Sequence, residues 1–253
     1  VSATAVLLAG LGRVIQDLLL WCTAEFGYLR LADGFVQGSS IMPQKRNPVA
    51  MEHARAIGSK ALGQATGVML CIHNTPFGDI VDTEDDLQPL VDRVFHDAAR
   101  ALTLVAAAMA SAEFDTAKLA RRAAEGWITI TELADTLVRE HGMAFDSAHA
   151  IAQRIVKARS EDPAASISGI IAEVSEELLG RPVRYTEERV AAILSPRHFI
   201  DVRTTLGGPA PEMTTAAIEA SRRILASDDA WVAATGARLD AAAAELGSRS
   251  AAL

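Results

Sequence analysis

The chain has 253 residues, of which half are apolar and only 5% aromatic, and its formal net charge is −8. This alanine-rich composition favours closely packed helices over sheets, and the absence of a basic stripe argues against a nucleic-acid partner. Cys22 and Cys71 lie in apolar stretches without metal-type spacing, which predicts buried free thiols in a reducing cytoplasm.

The first predicted element is a long apolar helix that runs to about Tyr28. Apolar residues at intervals of three and four form a seam along it: Leu8, Leu11, Ile15, Leu18 and Cys22. Further apolar residues occupy the other faces: Val6, Leu7, Val14, Leu19, Leu20 and Trp21. A helix that is apolar on nearly every side must be covered on nearly every side, so we expect it to pack against other copies of the chain.

The apolar N-terminal run does not predict a membrane protein. It extends from Val1 to Gly12 before Arg13, Gln16 and Asp17 interrupt it, whereas a helix that spans a bilayer needs about 20 apolar residues. We therefore expect a soluble, cytoplasmic protein without a membrane partner.

A loop and a second helix follow. The loop over residues 34–47 is rich in Gly, Ser and Pro. Asn47 is a favoured N-cap residue and Pro48 fits the first helical position, which predicts a second helix to about Leu70.

A third long helix is predicted next, and shorter helices are predicted after it. Thr83 followed by Asp86 resembles a capping box and predicts a helix to about Ala112. Beyond residue 113, Gly and Pro breaks predict shorter helices: Gly126, Gly142, Pro163, Gly180–Pro182, Ser195–Pro196 and Gly207–Pro211. The sequence therefore predicts an all-α protein, with a long-helix bundle domain over residues 1–112 that contains the loop and a smaller helical C-terminal domain over residues 113–253.

The loop contains the most informative motif, GSSIMPQKRNP, from Gly38 to Pro48. It offers two hydroxyls, Ser39 and Ser40, and then Lys45 and Asn47 beside a helix N-terminus. Backbone N–H groups, a cation and an amide that converge at a helix start favour an anion. On these grounds alone, an anion site and an ordinary capped Ser/Gly loop both remain open.

This motif and several other segments resemble the argininosuccinate lyase branch of the aspartase/fumarase superfamily. The motif with Glu52 after it is similar to the superfamily signature GSSxMPxKxN followed five residues later by Glu. Further segments resemble that branch and occur in the same order along the chain: Glu25-Phe26-Gly27, Leu133 to Asp135, Leu137 to Arg139, Phe145 with Ala148-His149, and Arg203 with Gly207-Gly208 and Ala210-Pro211. The resemblance covers nearly the whole chain and implies part of the superfamily's central bundle followed by its C-terminal domain.

The resemblance implies anti elimination that breaks a C–N or C–O bond and releases fumarate. The implied catalytic residues are Ser39, Lys45 and Glu52, and the implied substrate-binding residues are Ser40, Met42 and Asn47. Ser39 matches the base that removes a proton next to a carboxylate, and the residues around it match positions that stabilise the developing negative charge. Glu52 matches an acid that pairs with a catalytic histidine from elsewhere, although acids are favoured in the first turns of any helix.

Two departures from the family pattern bear on function. The superfamily site combines three sequence regions from three subunits of a homotetramer, and the two regions that normally come earlier are not found in this chain. The second departure concerns the family stretch YNkDmQEDKE, where Asp79, Glu84 and Leu87 replace its tyrosine, glutamine and lysine. This replacement argues against argininosuccinate and favours another N-substituted aspartate, such as ethylenediamine-disuccinate, whose amine part is cationic.

No cofactor is implied, and we expect no metal site. The acids near the third helix fit no EF-hand spacing and are favoured at a helix start: Asp79, Asp82, Glu84, Asp85 and Asp86. His149 continues a helical pattern with Phe145 and Ile151, which favours a structural role over acid–base catalysis.

The leading hypothesis is a C–N lyase that acts on a small dicarboxylate-type substrate, to which this chain contributes the serine loop. The alternative is a non-catalytic helical bundle, truncated or structural, that has kept the loop without the chemistry.

Overall fold

The computed structural model describes residues 1–73, 75–78 and 81–252, without the side chains of Asp82 and Glu84. Apart from two strands of two residues each, the regular structure of these residues is helical, and the predicted all-α fold is confirmed. Two compact units are present, Val1–Arg121 and Arg122–Leu253. Compactness does not test where an evolutionary domain ends, so the division at residue 112 stays a prediction.

The first unit is built from three long helices. The elements in chain order are α1 (Ser2–Trp21), β1 (Leu29–Arg30), a 3-10 turn (Asp33–Phe35), α2 (Val49–Ile72), α3 (Val81–Glu84), α4 (Leu87–Ala110), β2 (Glu113–Phe114) and α5 (Thr116–Ala123). Helix α2 packs against both α1 and α4. Alanines dominate the buried residues of this contact: Ala50, Ala54, Ala61, Ala65, Ala98, Ala101 and Ala108. Small side chains therefore let the helix axes approach closely, as the composition predicted.

Helix α1 ends seven residues before the predicted end at Tyr28. Gly27 has a left-handed φ of +53°, which turns the chain back so that the backbone N–H of Tyr28 donates to the carbonyl of Trp21 at 2.9 Å. The next two residues form β1, which pairs antiparallel with β2. Glycine adopts a positive φ at little steric cost. The helix therefore ends because Gly27 turns the chain and because the residues that follow pair with β2, which lies far along the sequence.

The two later helices start after the predicted positions. Asn47 was predicted as the N-cap of α2, but the cap position is Pro48, because the backbone of Asn47 pairs in both directions with Gln37. The third helix was predicted from Thr83, whereas α4 begins at Leu87 after the short helix α3.

Helix α1 is only partly covered within its unit. Leu8, Ile15, Leu18 and Leu19 are buried, while Val6 is 75% exposed. By length and composition this helix, alone among the described ones, could cross a membrane, although core helices of soluble proteins pass the same test. The helix is longer than the apolar run from Val1 to Gly12, because Arg13, Gln16 and Asp17 do not interrupt it.

The two cysteines differ in exposure. Cys22 is half-buried, and burial raises the pKa of its thiol. Cys71 is exposed, so the prediction that both thiols are buried was wrong for this one. It lies near the C-terminal end of α2, where Met69, Leu70 and Ile72 are exposed as well.

The second unit has a compact core and one long helix. Its helices are α6 (Ile130–His141), α7 (Phe145–Glu161), α8 (Ile167–Leu179), α9 (Glu187–Ile193), α10 (Pro196–Asp201) and α11 (Pro211–Ala251). Apolar residues of α6 to α9 form the core. The prediction that all helices after residue 113 are short was wrong for α11, which has 41 residues. Pro211 fits its first turn, and its alanine-rich sequence tolerates Gly236 and Gly247.

Gly208→Ala is expected to lower the free energy of unfolding by about 1–3 kcal/mol, because overpacking a tight site is costly. A Cβ at this position would lie 2.2 Å from the backbone carbonyl oxygen of Arg203, in the turn before α11. Urea denaturation measures the change. Gly236→Ala is the control: a Cβ there meets nothing within 4 Å, and alanine is favoured by about 0.5–1 kcal/mol in a helix. Equal effects would contradict the steric argument.

Candidate active-site loop

The predicted site loop is closed at its base by backbone and side-chain bonds. Gln37 and Asn47 exchange two N–H···O hydrogen bonds of 2.9 Å. The guanidinium of Arg46 donates to Asp33 at 2.5 Å and to the carbonyl of Leu31 at 2.9 Å. The Arg46 hydrogen bond and charge lower the pKa of Asp33. The motif residues between these anchors therefore form a loop whose two ends are held together.

Ser39 lies in this loop with its side chain turned towards the backbone. Its Oγ accepts hydrogen bonds from the backbone N–H of Ile41 at 3.2 Å and of Met42 at 3.1 Å. Two donors aimed at one oxygen stabilise negative charge on it, as in an oxyanion hole. Ser40 beside it is exposed. The loop backbone thus distinguishes the two serines, and it favours an anionic oxygen on Ser39.

Four of the six predicted site residues line one groove of about 650 Å³ between the loop, α1 and the start of α2: Met42, Lys45, Asn47 and Glu52. Ser39 and Ser40 are not among the residues that line it. The structure therefore brings Lys45, Asn47 and Glu52 together and leaves the two serines on the loop outside the groove.

The groove contains cations that the sequence analysis did not assign. Arg46 and Arg55 line it together with Lys45, while Glu52 is the acid among its lining residues. The guanidinium of Arg55 donates to the side-chain carbonyl of Gln16 on α1 at 2.6 Å. Arg46 is already paired with Asp33, which leaves Lys45 and Arg55 against Glu52, and this balance favours an anionic ligand. The sequence could have indicated Arg55 as a groove residue, because it follows Glu52 by three positions and the two therefore lie on the same face of α2.

Two segments of the second unit that resemble the family, around Leu133 to Arg139 and at Arg203, meet at the buried carboxylate of Glu132. Glu132 is fully buried, and its oxygens accept hydrogen bonds from Arg139, from Thr136 at 3.1 Å and from Arg203 at 2.6 Å. Arg203 also donates to Asp135 at 3.3 Å. Burial alone would raise the pKa of Glu132, but these hydrogen bonds and charges outweigh it and lower the pKa. The cluster therefore holds α6 to the segment before α11, and we interpret its role as structural.

The other candidate groups do not form a catalytic cluster in the described parts of the chain. His149 is exposed, with its ring stacked on Phe145 at a centroid distance of 6.0 Å. No group of three or more His, Cys, Asp or Glu side chains among the described residues comes together as metal ligands do. Asp79, together with the side chains of Asp82 and Glu84, lies outside the described residues.

We expect the loop amides of Gly38, Ser40 and Gln44 to exchange with solvent faster than those of α2. Loops with few buried contacts open at low free-energy cost, as active-site lids do. Amide hydrogen exchange without ligand measures this difference. The amides of Gln37 and Asn47 are internal controls, since they bond to each other and should exchange slowly. Uniform slow exchange across residues 38–46 would contradict a mobile loop.

Comparison with known proteins agrees with the similarity seen in the motifs. A family model described as "Lyase" matches residues 1–63, and one described as "Argininosuccinate lyase C-terminal" matches residues 127–201. Argininosuccinate lyase 2 of Agrobacterium fabrum is 38% identical over 247 residues, which cover 96% of this chain and 49% of that protein. The chain belongs to the argininosuccinate lyase family of the aspartase/fumarase superfamily.

Further relatives and solved structures give a consistent result. The argininosuccinate lyase of Methanoculleus marisnigri is 38% identical over 232 residues, 91% of this chain and 46% of that protein. An EDDS lyase variant solved with bound fumarate has a TM-score of 0.76 and 26% identity, and covers 91% of this chain and 46% of its own. The 3-carboxy-cis,cis-muconate lactonizing enzyme of Pseudomonas putida, with a TM-score of 0.57, 19% identity and coverages of 78% and 43%, shares the fold. The chain spans about half the length of the argininosuccinate lyases that it matches.

Proposed function

We propose that this chain supplies the serine loop of a carbon–nitrogen lyase, which releases fumarate from an N-substituted aspartate. The observation that supports this most directly is the pair of backbone N–H donors on Ser39 Oγ, in a chain of the argininosuccinate lyase family. A serine hydroxyl is a weak acid and needs nearby dipoles or cations to act as a base. The loop backbone provides two such dipoles.

In the proposed reaction, Ser39 removes a proton from the carbon next to a substrate carboxylate. The electron pair of that C–H bond moves into the carboxylate, and Ser40, Lys45 and Asn47 stabilise the resulting aci-carboxylate. The electron pair held in the aci-carboxylate then forms the C=C double bond of fumarate and restores the carboxylate. At the same time the C–N bond breaks, its electron pair leaves with the nitrogen, and the amine gains a proton. Fumarate and the free amine are the products.

Met42 and Glu52 have supporting roles in this proposal. Met42 forms an apolar part of the groove wall, against the carbon skeleton of the substrate. Glu52 would pair with a histidine from a region outside this chain, and that histidine would protonate the leaving amine. The proposal therefore requires residues that the two other family regions supply.

The proposed substrate class is an aspartate whose nitrogen bears a cationic substituent. Two carboxylates would find Lys45 and Arg55 in the groove, since Arg46 is paired with Asp33. Relatives include proteins named argininosuccinate lyase and EDDS lyase, which indicate argininosuccinate and ethylenediamine-disuccinate as candidates. The acidic segment from Asp79 to Asp86 favours the latter, since it lacks the glutamine and lysine of the family stretch.

The test is a fumarate assay by ultraviolet absorbance with argininosuccinate, adenylosuccinate, aspartate and ethylenediamine-disuccinate. The protein tested is this chain joined to the other half that its relatives have. We expect turnover of an N-substituted aspartate by the joined protein and none by the 253-residue chain alone. Inactivity of the joined protein with all four compounds would favour the non-catalytic bundle, and turnover by the chain alone would overturn the shared-site proposal.

We also propose that α1, α2 and α4 assemble in a cytoplasmic homotetramer through the exposed side of α1. Val6, Leu7 and Val14 are exposed there, and an uncovered apolar face of this length is characteristic of an interface. Light scattering after size exclusion should give four times the chain mass of 26.8 kDa. We expect Leu7→Asp with Val14→Asp to lower the assembly state, and Ala117→Asp on α5 to leave it unchanged. A stable monomer at micromolar concentration would contradict the proposal.

A further inference from the structure

Helix α11 has an apolar stripe that the lyase chemistry does not use. Five residues recur every seven positions along it: Ile218, Leu225, Val232, Leu239 and Leu246. Their exposed fractions range from 47% for Ile218 to 70% for Leu246, and no described residue of the helix is buried. The stripe is therefore an apolar surface without a partner in the described part of the chain.

The spacing indicates the shape of the partner. A strict seven-residue repeat drifts by about 20° per heptad on a straight α-helix, so it stays in contact only with a second helix that supercoils with it. The stripe is about 42 Å long at 1.5 Å per residue. The long helices α2 and α4 have 24 residues each, or about 36 Å, and are too short to cover it. Among the described helices, α11 itself has the required length.

The residues that flank the stripe allow close approach along its C-terminal half. Thr235, Gly236, Ala242 and Ala243 lie on either side of it there, and small residues let two helices pack closely. The stripe itself measures roughly 42 Å by 10 Å. Two α11 helices in contact along all 41 residues, a length of about 60 Å, would each cover about 600 Å², which approaches the about 800 Å² per partner of a stable interface.

The charges select the orientation of two such helices. Asp228 and Asp229 flank the stripe near its middle. In a parallel pair in register, these carboxylates would face their own copies, and like charges in contact are unfavourable. In an antiparallel pair centred on Val232, they lie beside Gly236 and Thr235 of the second copy. The same alignment brings all five stripe residues into contact: Ile218 with Leu246, Leu225 with Leu239, and Val232 with itself.

We propose that α11 is a self-association surface, which pairs with α11 of a second copy of this chain as an antiparallel coiled coil centred on Val232. This interface is separate from the proposed one on α1. It would link two copies through their C-terminal helices, and it does not depend on the lyase proposal.

Disulfide cross-linking of the whole 253-residue chain tests both partner and orientation. A cysteine at the centre of an antiparallel pair faces its own copy, within the roughly 4 Å between Cβ atoms that a disulfide needs. We expect oxidised Val232→Cys to run mostly as a covalent dimer under non-reducing conditions. Leu225→Cys alone should form no covalent dimer and should run as a monomer under denaturing, non-reducing conditions, whereas Leu225→Cys with Leu239→Cys should again cross-link. Ala237→Cys, on the opposite face of the helix, is the matched control, and the unsubstituted chain shows the background from Cys22 and Cys71.

Each other outcome overturns the proposal. Equal cross-linking of Leu225→Cys, Val232→Cys and Leu239→Cys, each alone, would show a parallel pair. No dimer from Val232→Cys above the level of Ala237→Cys would show that another segment or protein covers the stripe, or that it stays exposed. Circular dichroism of every variant confirms that the helix is retained, since all positions are exposed and their substitution should not prevent folding.

Discussion

Ser39→Ala in the joined, complete protein is expected to lower fumarate production by about 10²–10⁴-fold, the usual cost of losing a group that transfers a proton. The side chain is the proposed base, and its oxygen is the acceptor for two backbone N–H groups of the loop. Alanine removes the base and leaves these donors without their acceptor. We expect kcat to fall while KM changes little, because the carboxylate-binding residues remain.

Ser40→Ala is the matched control for this experiment. The two serines are adjacent and the chemical change is identical, but Ser40 is proposed to bind a carboxylate that Lys45 and Asn47 also contact. Its loss should therefore cost much less than that of Ser39. Initial rates from fumarate absorbance give the comparison, and circular dichroism confirms that both variants fold. Equal losses would keep the lyase and overturn the assignment of the base.

Glu132→Ala is expected to lower the free energy of unfolding by about 3–5 kcal/mol, as commonly found when one partner of a buried ion pair is removed. The carboxylate is fully buried and bonds to Arg139, Arg203 and Thr136. Its removal leaves Arg203, whose side chain is 25% exposed, without its main partner. Urea denaturation measures the effect, with exposed Glu173→Ala as the control. A loss no larger than that of the control would contradict the role of the cluster.

The carboxylate of Glu132 should also make the free energy of unfolding depend on pH in the acid range. Its pKa in the folded protein is lowered from the ordinary value of 4.5, so its stabilising contribution is complete above that value. The contribution is lost as the pH falls through the folded pKa. The wild-type protein should therefore lose more stability on acidification than Glu132→Gln, which has no charge to lose. Parallel stability curves for the two proteins would contradict this assignment.

The sequence alone determined the helical composition, the long helices, the loop and the family. Each of these features is indicated by residues that are close together in the sequence, either by a local spacing of apolar residues or by one continuous motif. Apolar residues at intervals of three and four indicate a helix wherever they occur, and GSSIMPQKRNP with Glu52 identified the family without any tertiary contact. Pro211 likewise marks the start of α11, although nothing in the sequence analysis anticipated how far that helix continues.

Only the tertiary structure decided the details of the site, because they depend on residues far apart in the sequence. Arg55 becomes a groove residue through its bond to Gln16, 39 positions away. Asn47 does not cap α2, because its backbone pairs with Gln37 across the base of the loop. Arg203 reaches Glu132 over 71 positions, and it thereby joins two segments that the sequence showed only as separate similarities. Periodicity and capping preferences describe neighbours along the chain, whereas these contacts depend on how whole helices pack.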